Sequence, residues 1–195
     1  MITNTKASQS SAFSGSAVPT LERVADFPQQ GEARGNRPQF SRQQSYQGVD
    51  WQGADLRRAN LSDMNLSEAN LSGADLRGAN LRGADLSRVN LAGADLTGAF
   101  LNDALLYEAT LTQAKLVDCD LIGASLYKAN LQSAVLDGAH MSHSCAIDAD
   151  FCNAQLRGTD LRWCNLNRSR FEGADTEGLQ LEQALTDQVS WASAA

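Results

Sequence analysis

No stretch of roughly 18 or more apolar residues occurs in this 195-residue chain, so no membrane-spanning helix is expected. The N-terminus lacks a positively charged start followed by a continuous apolar segment, which argues against a cleavable signal peptide. Histidine is scarce, at two residues, and cysteine numbers four. No combination of nucleophile, base and carboxylate reads as an active site, so neither catalysis nor a cofactor is expected.

What is present is a repeat. From Val49 to Gln183 a five-residue unit, Ala-(Asp/Asn)-Leu-x-x, recurs twenty-seven times without an insertion. The cleanest run is Ala69-Asn70-Leu71-Ser72-Gly73, Ala74-Asp75-Leu76-Arg77-Gly78, Ala79-Asn80-Leu81-Arg82-Gly83, Ala84-Asp85-Leu86. Residues five apart on a helix sit about 140° from each other, so no helical face would collect the leucines. In a flat strand an odd spacing would send successive leucines to opposite faces. Within one unit, however, Ala and Leu share a face of a short extended segment while Asp or Asn points away. A corner formed by the last two residues then lets the next Ala and Leu point inward again. Gly takes the second corner position in eleven units, where the absence of a Cβ relaxes the turn. Leu fills twenty-one central positions, with Trp51, Met141, Ala146, Phe151, Phe171 and Thr176 in the others, and Ala fills eighteen inner ones. Large and small side chains together fill a narrow shaft and leave no room for a substrate.

These units resemble the pentapeptide-repeat family, whose consensus is the same A(D/N)LXX, over about two-thirds of the chain. The resemblance implies an all-β fold, a right-handed quadrilateral parallel β-helix with four units per coil. Twenty-seven units then make about seven coils, and strands about 4.8 Å apart give a rod roughly 30 Å long.

Three regions follow. Residues 1–48 form a Ser/Thr-rich leader with no acidic residue before Glu22, a composition that predicts disorder. Residues 49–183 form the β-helix, and 184–195 a short tail. Leu21, Val24 and Phe27 follow Pro19 at helical spacing, and Leu181, Leu185 and Val189 recur every four residues, so short helices are expected to cover both open coils. Phe40 and Tyr46 suggest an irregular rung before the repeat. The C-terminal segment could cap the rod or pair two rods as a homodimer.

His140, His143, Cys145 and Cys152 fall within thirteen residues, but the repeat register spreads them over three sides, so no metal site is expected. Cys119 and Cys164 occupy inner small positions in place of Ala, which fits reduced thiols and a cytoplasmic location.

With four units per coil, residues twenty apart stack. One column reads Glu68, Arg88, Glu108, Lys128, Asp148, Arg168, alternating in sign at every rung. This is a self-neutralising ladder in which each exposed pair contributes under about 1 kcal/mol. A second column carries Tyr107, Tyr127 and Ile147, with Leu105 beside it, and the central stretch also places Phe100, Val117, Ile122 and Val135 outside. Phe100, Leu105, Tyr107, Ile122, Tyr127 and Ile147 are the candidate patch for a protein partner. A third column stacks Asp55, Asp75 and Asp95, and the repeat region holds nineteen acids against eleven bases. That stripe is similar to the family branch that mimics DNA, occupies the DNA site of gyrase and gives inhibitor resistance. Arg57 and Arg77 flank the aspartates, however, and Lys115 and Val135 break the stripe. Central leucines also stand where that branch carries many phenylalanines.

The leading expectation is therefore a non-enzymatic rod acting as a rigid protein-binding surface, with a regulatory role and no nucleic-acid partner. A gyrase-binding DNA mimic is one alternative. The other is a secreted bacterial effector exported by its leader.

Overall fold

In the computed structural model, which describes residues 45–191, each outward Asp/Asn position pairs with the one twenty residues on. Parallel bridges run from Asp50↔Asn70 to Asn165↔Leu185. Four five-residue units therefore complete one turn, and the chain has four sides, taken here as first to fourth from Asp50, Asp55, Asn60 and Asn65. The extended pieces are so short that only two qualify as strands, β1 (Arg170–Phe171) and β2 (Ser190–Trp191), paired in parallel. Each side bonds to coils on both sides of it. Leu76 N donates to Asp95 O at 2.7 Å, and Asp75 N donates to Ala54 O at 2.9 Å.

Each corner is a tight turn closed by the next inner residue, as where Ala59 N donates to Leu56 O at 3.0 Å. The second corner residue has positive φ at every unit from Gly48 to Gln188, and seventeen of these residues are not glycine. The outward Asp or Asn holds the corner: its Oδ1 accepts the backbone N–H two residues on, at 3.0 Å from Ser67 to Asn65 and 3.1 Å from Thr97 to Asp95. This local bond is the physical reason for Asp and Asn in that position.

Inside, the inner alanines and central leucines up to Leu166 are almost wholly buried. Polar inner residues find backbone acceptors. Cys119 Sγ donates to Leu96 O at 2.8 Å, Thr159 Oγ1 to Leu136 O at 2.8 Å and Cys164 Sγ to Met141 O at 2.9 Å.

The C-terminal helix expected from Leu181, Leu185 and Val189 is not formed. The three residues occupy central, outward and inner positions of successive units, Leu185 bridges Asn165, and β2 continues the frame to Trp191. The open coil edge offers backbone partners in register, so the chain adds another rung instead of a helix. Tyr46 also takes a regular central position: its N–H donates to Asn65 O at 3.1 Å and its ring lies 5.4 Å from Trp51. Phe40 and the helix expected around Leu21–Phe27 lie outside the described residues. Leu179, Leu181, Ala184 and Val189 are only partly buried, in the last described coil.

Candidate interaction surface

The six candidate patch residues wrap around the rod instead of sharing one side. Phe100 is on the third side, bridged to Asn80 and Asp120, and Leu105 is on the fourth, bridged to Asp85 and Ser125. Ile122 sits at the corner between those sides, one coil above. Tyr107, Tyr127 and Ile147 line the next corner. Phe100, Leu105 and Ile122 are 40%, 47% and 40% exposed, whereas the two tyrosines and Ile147 are half-buried. Tyr107 and Tyr127 stack with centroids 5.4 Å apart and planes at 16°. A hydrogen bond to Glu108, with burial adding to it, pushes the Tyr107 phenol up. Val117 and Val135 are also half-buried.

Two cations lie on this surface. The Arg82 guanidinium sits 4.8 Å from the Phe100 ring centroid, and its Nε donates to Asn102 Oδ1 at 2.8 Å. Lys128 Nζ lies 5.3 Å from the Tyr127 centroid.

The column from Glu68 to Arg168 closes at its two ends. Arg88 bonds Glu68 at 2.5 Å and Arg168 bonds Asp148 at 2.8 Å, a contact that lowers the Asp148 carboxyl. Among the described residues Glu108 and Lys128 form no ion pair, since Lys128 lies over the neighbouring ring. The aspartate column is compensated from within: Arg57 binds Asp55 and Arg77 binds Asp75, each at 2.5 Å, and both carboxyls are lowered by those bonds.

His140 bridges Asp120 and Asp160, Cys145 bridges Ser125 and Asn165, and His143 stacks on Trp163 at 6.0 Å. Cys152 Sγ donates to Glu172 Oε2 at 2.9 Å, and burial together with its acidic neighbours pushes that thiol up to about 12. No grouping of His, Cys, Asp and Glu among the described residues could hold a metal ion.

A second exposed apolar group, Trp163, Leu185 and Trp191, lies toward the last coils, in and beside the segment considered for pairing two rods. Trp163 was not singled out in the sequence reading, although a bulky aromatic at the second corner position, where glycine predominates, was the available signal. Its φ is 62°. Contacts eighteen residues apart were also missed. Arg82 on Phe100, Gln132 with Asp150 and Arg157 with Asp175 all run diagonally between coils.

A closed four-sided parallel coil with a solid Ala/Leu core defines a class of rigid repeat proteins. The pattern described as Pentapeptide repeats matches in eight copies, over residues 42–73, 65–103, 104–142 and 147–175. The chain belongs to the pentapeptide-repeat family, and its fold is that family's right-handed quadrilateral β-helix.

Among solved structures, a pentapeptide repeat protein from the Arabidopsis thaliana thylakoid lumen is 31% identical, covering 52% of this chain and 70% of that one, with a TM-score of 0.51. HetL, a pentapeptide repeat protein involved in heterocyst differentiation regulation in the cyanobacterium Nostoc, is 29% identical over 71% of this chain and 81% of its own, with a TM-score of 0.40. QnrB1, a plasmid-mediated fluoroquinolone resistance protein, is 20% identical over 72% and 78%, with a TM-score of 0.47. A search of curated proteins finds no match. No helix among the described residues is long and apolar enough to cross a membrane.

Proposed function

We propose that this chain is a non-enzymatic interaction protein whose rod presents Phe100, Leu105, Tyr107, Ile122, Tyr127 and Ile147 to a protein partner. The observation that carries this reading is the convergence of three exposed apolar side chains, Phe100, Leu105 and Ile122, about one corner in the middle of the rod. Elsewhere outward positions are mostly polar, and the filled shaft leaves function to the outer surface. The free thiols of the described cysteines support a reducing, cytoplasmic setting. Internal pairing of Asp55 and Asp75 takes away support for an uncompensated DNA-like stripe, and the effector reading rests on leader residues outside the described region.

The test is affinity purification from native cells followed by mass spectrometry. Wild type, Leu105→Ser with Ile122→Ser, and Gln155→Ser on the opposite side are compared. A specific partner is expected with wild type and Gln155→Ser and not with the patch variant. Equal recovery by all three proteins would sink the proposal.

A further inference from the structure

We infer that the partner contacts the central patch with a basic, apolar segment, and that Asp103 selects it by receiving an Arg or Lys side chain. This inference rests on the interaction-surface reading above and adds the partner's chemistry.

Asp103 stands at the corner joining the third and fourth sides, three residues after Phe100 and two before Leu105. Its N–H donates to Ile122 O at 3.0 Å. Its carboxyl lies against Gly123, where an added Cβ would be 2.5 Å from Oδ1. The three exposed apolar residues therefore surround an exposed carboxylate. Among the described residues, Asp103 forms no ion pair. A partner that covers Phe100, Leu105 and Ile122 also takes this carboxylate out of water.

Desolvating an unpaired carboxylate is unfavourable enough to cancel much of the gain from burying apolar side chains. A partner supplying a cation offsets that cost. Arginine suits the position best, because its guanidinium is weakly hydrated and binds carboxylate through two parallel bonds. Two further carboxylates flank the patch, Asp85 beneath Leu105 and Asp120 above Phe100, and neither forms an ion pair among the described residues. The nearest base, Arg82, is committed to the Phe100 ring and to Asn102. Around the corner of Phe100, Leu105 and Ile122 three carboxylates face one guanidinium, and at the next corner Lys128 over Tyr127 stands beside Glu108, so the field at the patch is negative. That field steers a basic segment and opposes an acidic one, including a second copy of this chain, whose formal net charge is −7.

The test pans a displayed library of random peptides, about twelve residues long, on the full chain, with counter-selection on Leu105→Ser/Ile122→Ser. Expected ligands carry Arg or Lys beside an aromatic or branched apolar residue. Their affinity should fall about ten-fold with Asp103→Asn and weaken as salt is raised. Asp103→Lys should reverse the preference toward acidic peptides. That variant is expected to fold, since Arg88 and Lys128 hold the same left-handed corner conformation. Patch-dependent ligands that are neutral or acidic, and indifferent to Asp103→Asn, overturn the charge assignment while leaving the surface reading intact. Failure to recover any ligand that distinguishes wild type from the patch variant overturns the surface reading, and the inference with it.

Discussion

At the scale of single residues, the corners carry the fold's backbone demand. Seventeen non-glycine residues hold positive φ at the second corner position, a conformation costing an L-residue about 1–2 kcal/mol. The coil tolerates this because a backbone bond closes every one of these turns, and at eight of the seventeen a preceding outward Asp or Asn also accepts the N–H two residues on. Glycine has an additional role where a long corner side chain lies beneath it. At Gly123, φ is +72° and a Cβ would approach Asp103 Oδ1 at 2.5 Å, whereas at Gly73 nothing lies within 4 Å. Gly123→Ala should therefore destabilise the rod more than Gly73→Ala, which carries only the backbone strain of about 1–2 kcal/mol. Urea unfolding of the two variants measures the difference, and Asp103→Ala should narrow it. Equal losses at both sites would show that the carboxyl does not restrict that corner.

At the scale of one coil, volume is shared among four sides. The coil containing Met141, Ala146, Phe151 and Leu156 has one small and one large central residue on adjacent sides, and both are fully buried. Phe151 also stacks on Phe171, and Phe171 on Trp191, each pair with centroids 4.7 Å apart. Ala146→Leu alone should overpack the coil by about 1–3 kcal/mol, and Phe151→Leu alone should leave a void and lose a ring contact. Together they restore a consensus-like coil, so the double variant should be less destabilised than the sum of the singles by about 1 kcal/mol. Strict additivity in a double-mutant cycle would mean that the two sides do not share space. The corner and the Ala/Leu shaft were legible in the sequence because they recur at a fixed interval. Four units per coil came with the family resemblance. The diagonal contacts were not legible from columns of twenty. A long side chain at the first corner position folds back over its own side to the coil above, bringing Arg82 to Phe100 and Arg157 to Asp175. The C-terminal rung was hidden because Leu181, Leu185 and Val189 occupy three different positions that happen to fall four residues apart.

For the whole rod, the interior holds almost no charge, so acid acts through carboxylates bonded along its sides. Asp160 is the most enclosed of the ion-paired acids: Arg162 grips it through Nε at 2.9 Å and Nη2 at 2.8 Å, and the Arg162 backbone N–H adds a bond of 3.0 Å. Those bonds lower the Asp160 carboxyl, and guanidinium bonds do the same for Asp55, Asp75, Asp148 and Asp175. Glu172 is held at about 2, chiefly by the Cys152 thiol and then by Ser190. Folding depresses each of these groups, so their stabilisation is fully present above the ordinary carboxylate range. It is lost as pH falls through the depressed folded values, with Glu172 retaining its charge down to about 2. The thermal midpoint followed by circular dichroism should therefore fall below about pH 4. Asp160→Asn preserves the side-chain shape and the oxygen that accepts the backbone N–H while deleting the ion pair. It should melt below wild type at neutral pH, and the gap should close at the acid end, where wild-type Asp160 is itself protonated. A gap that is unchanged between neutral and strongly acidic solution would assign the loss to packing and not to charge.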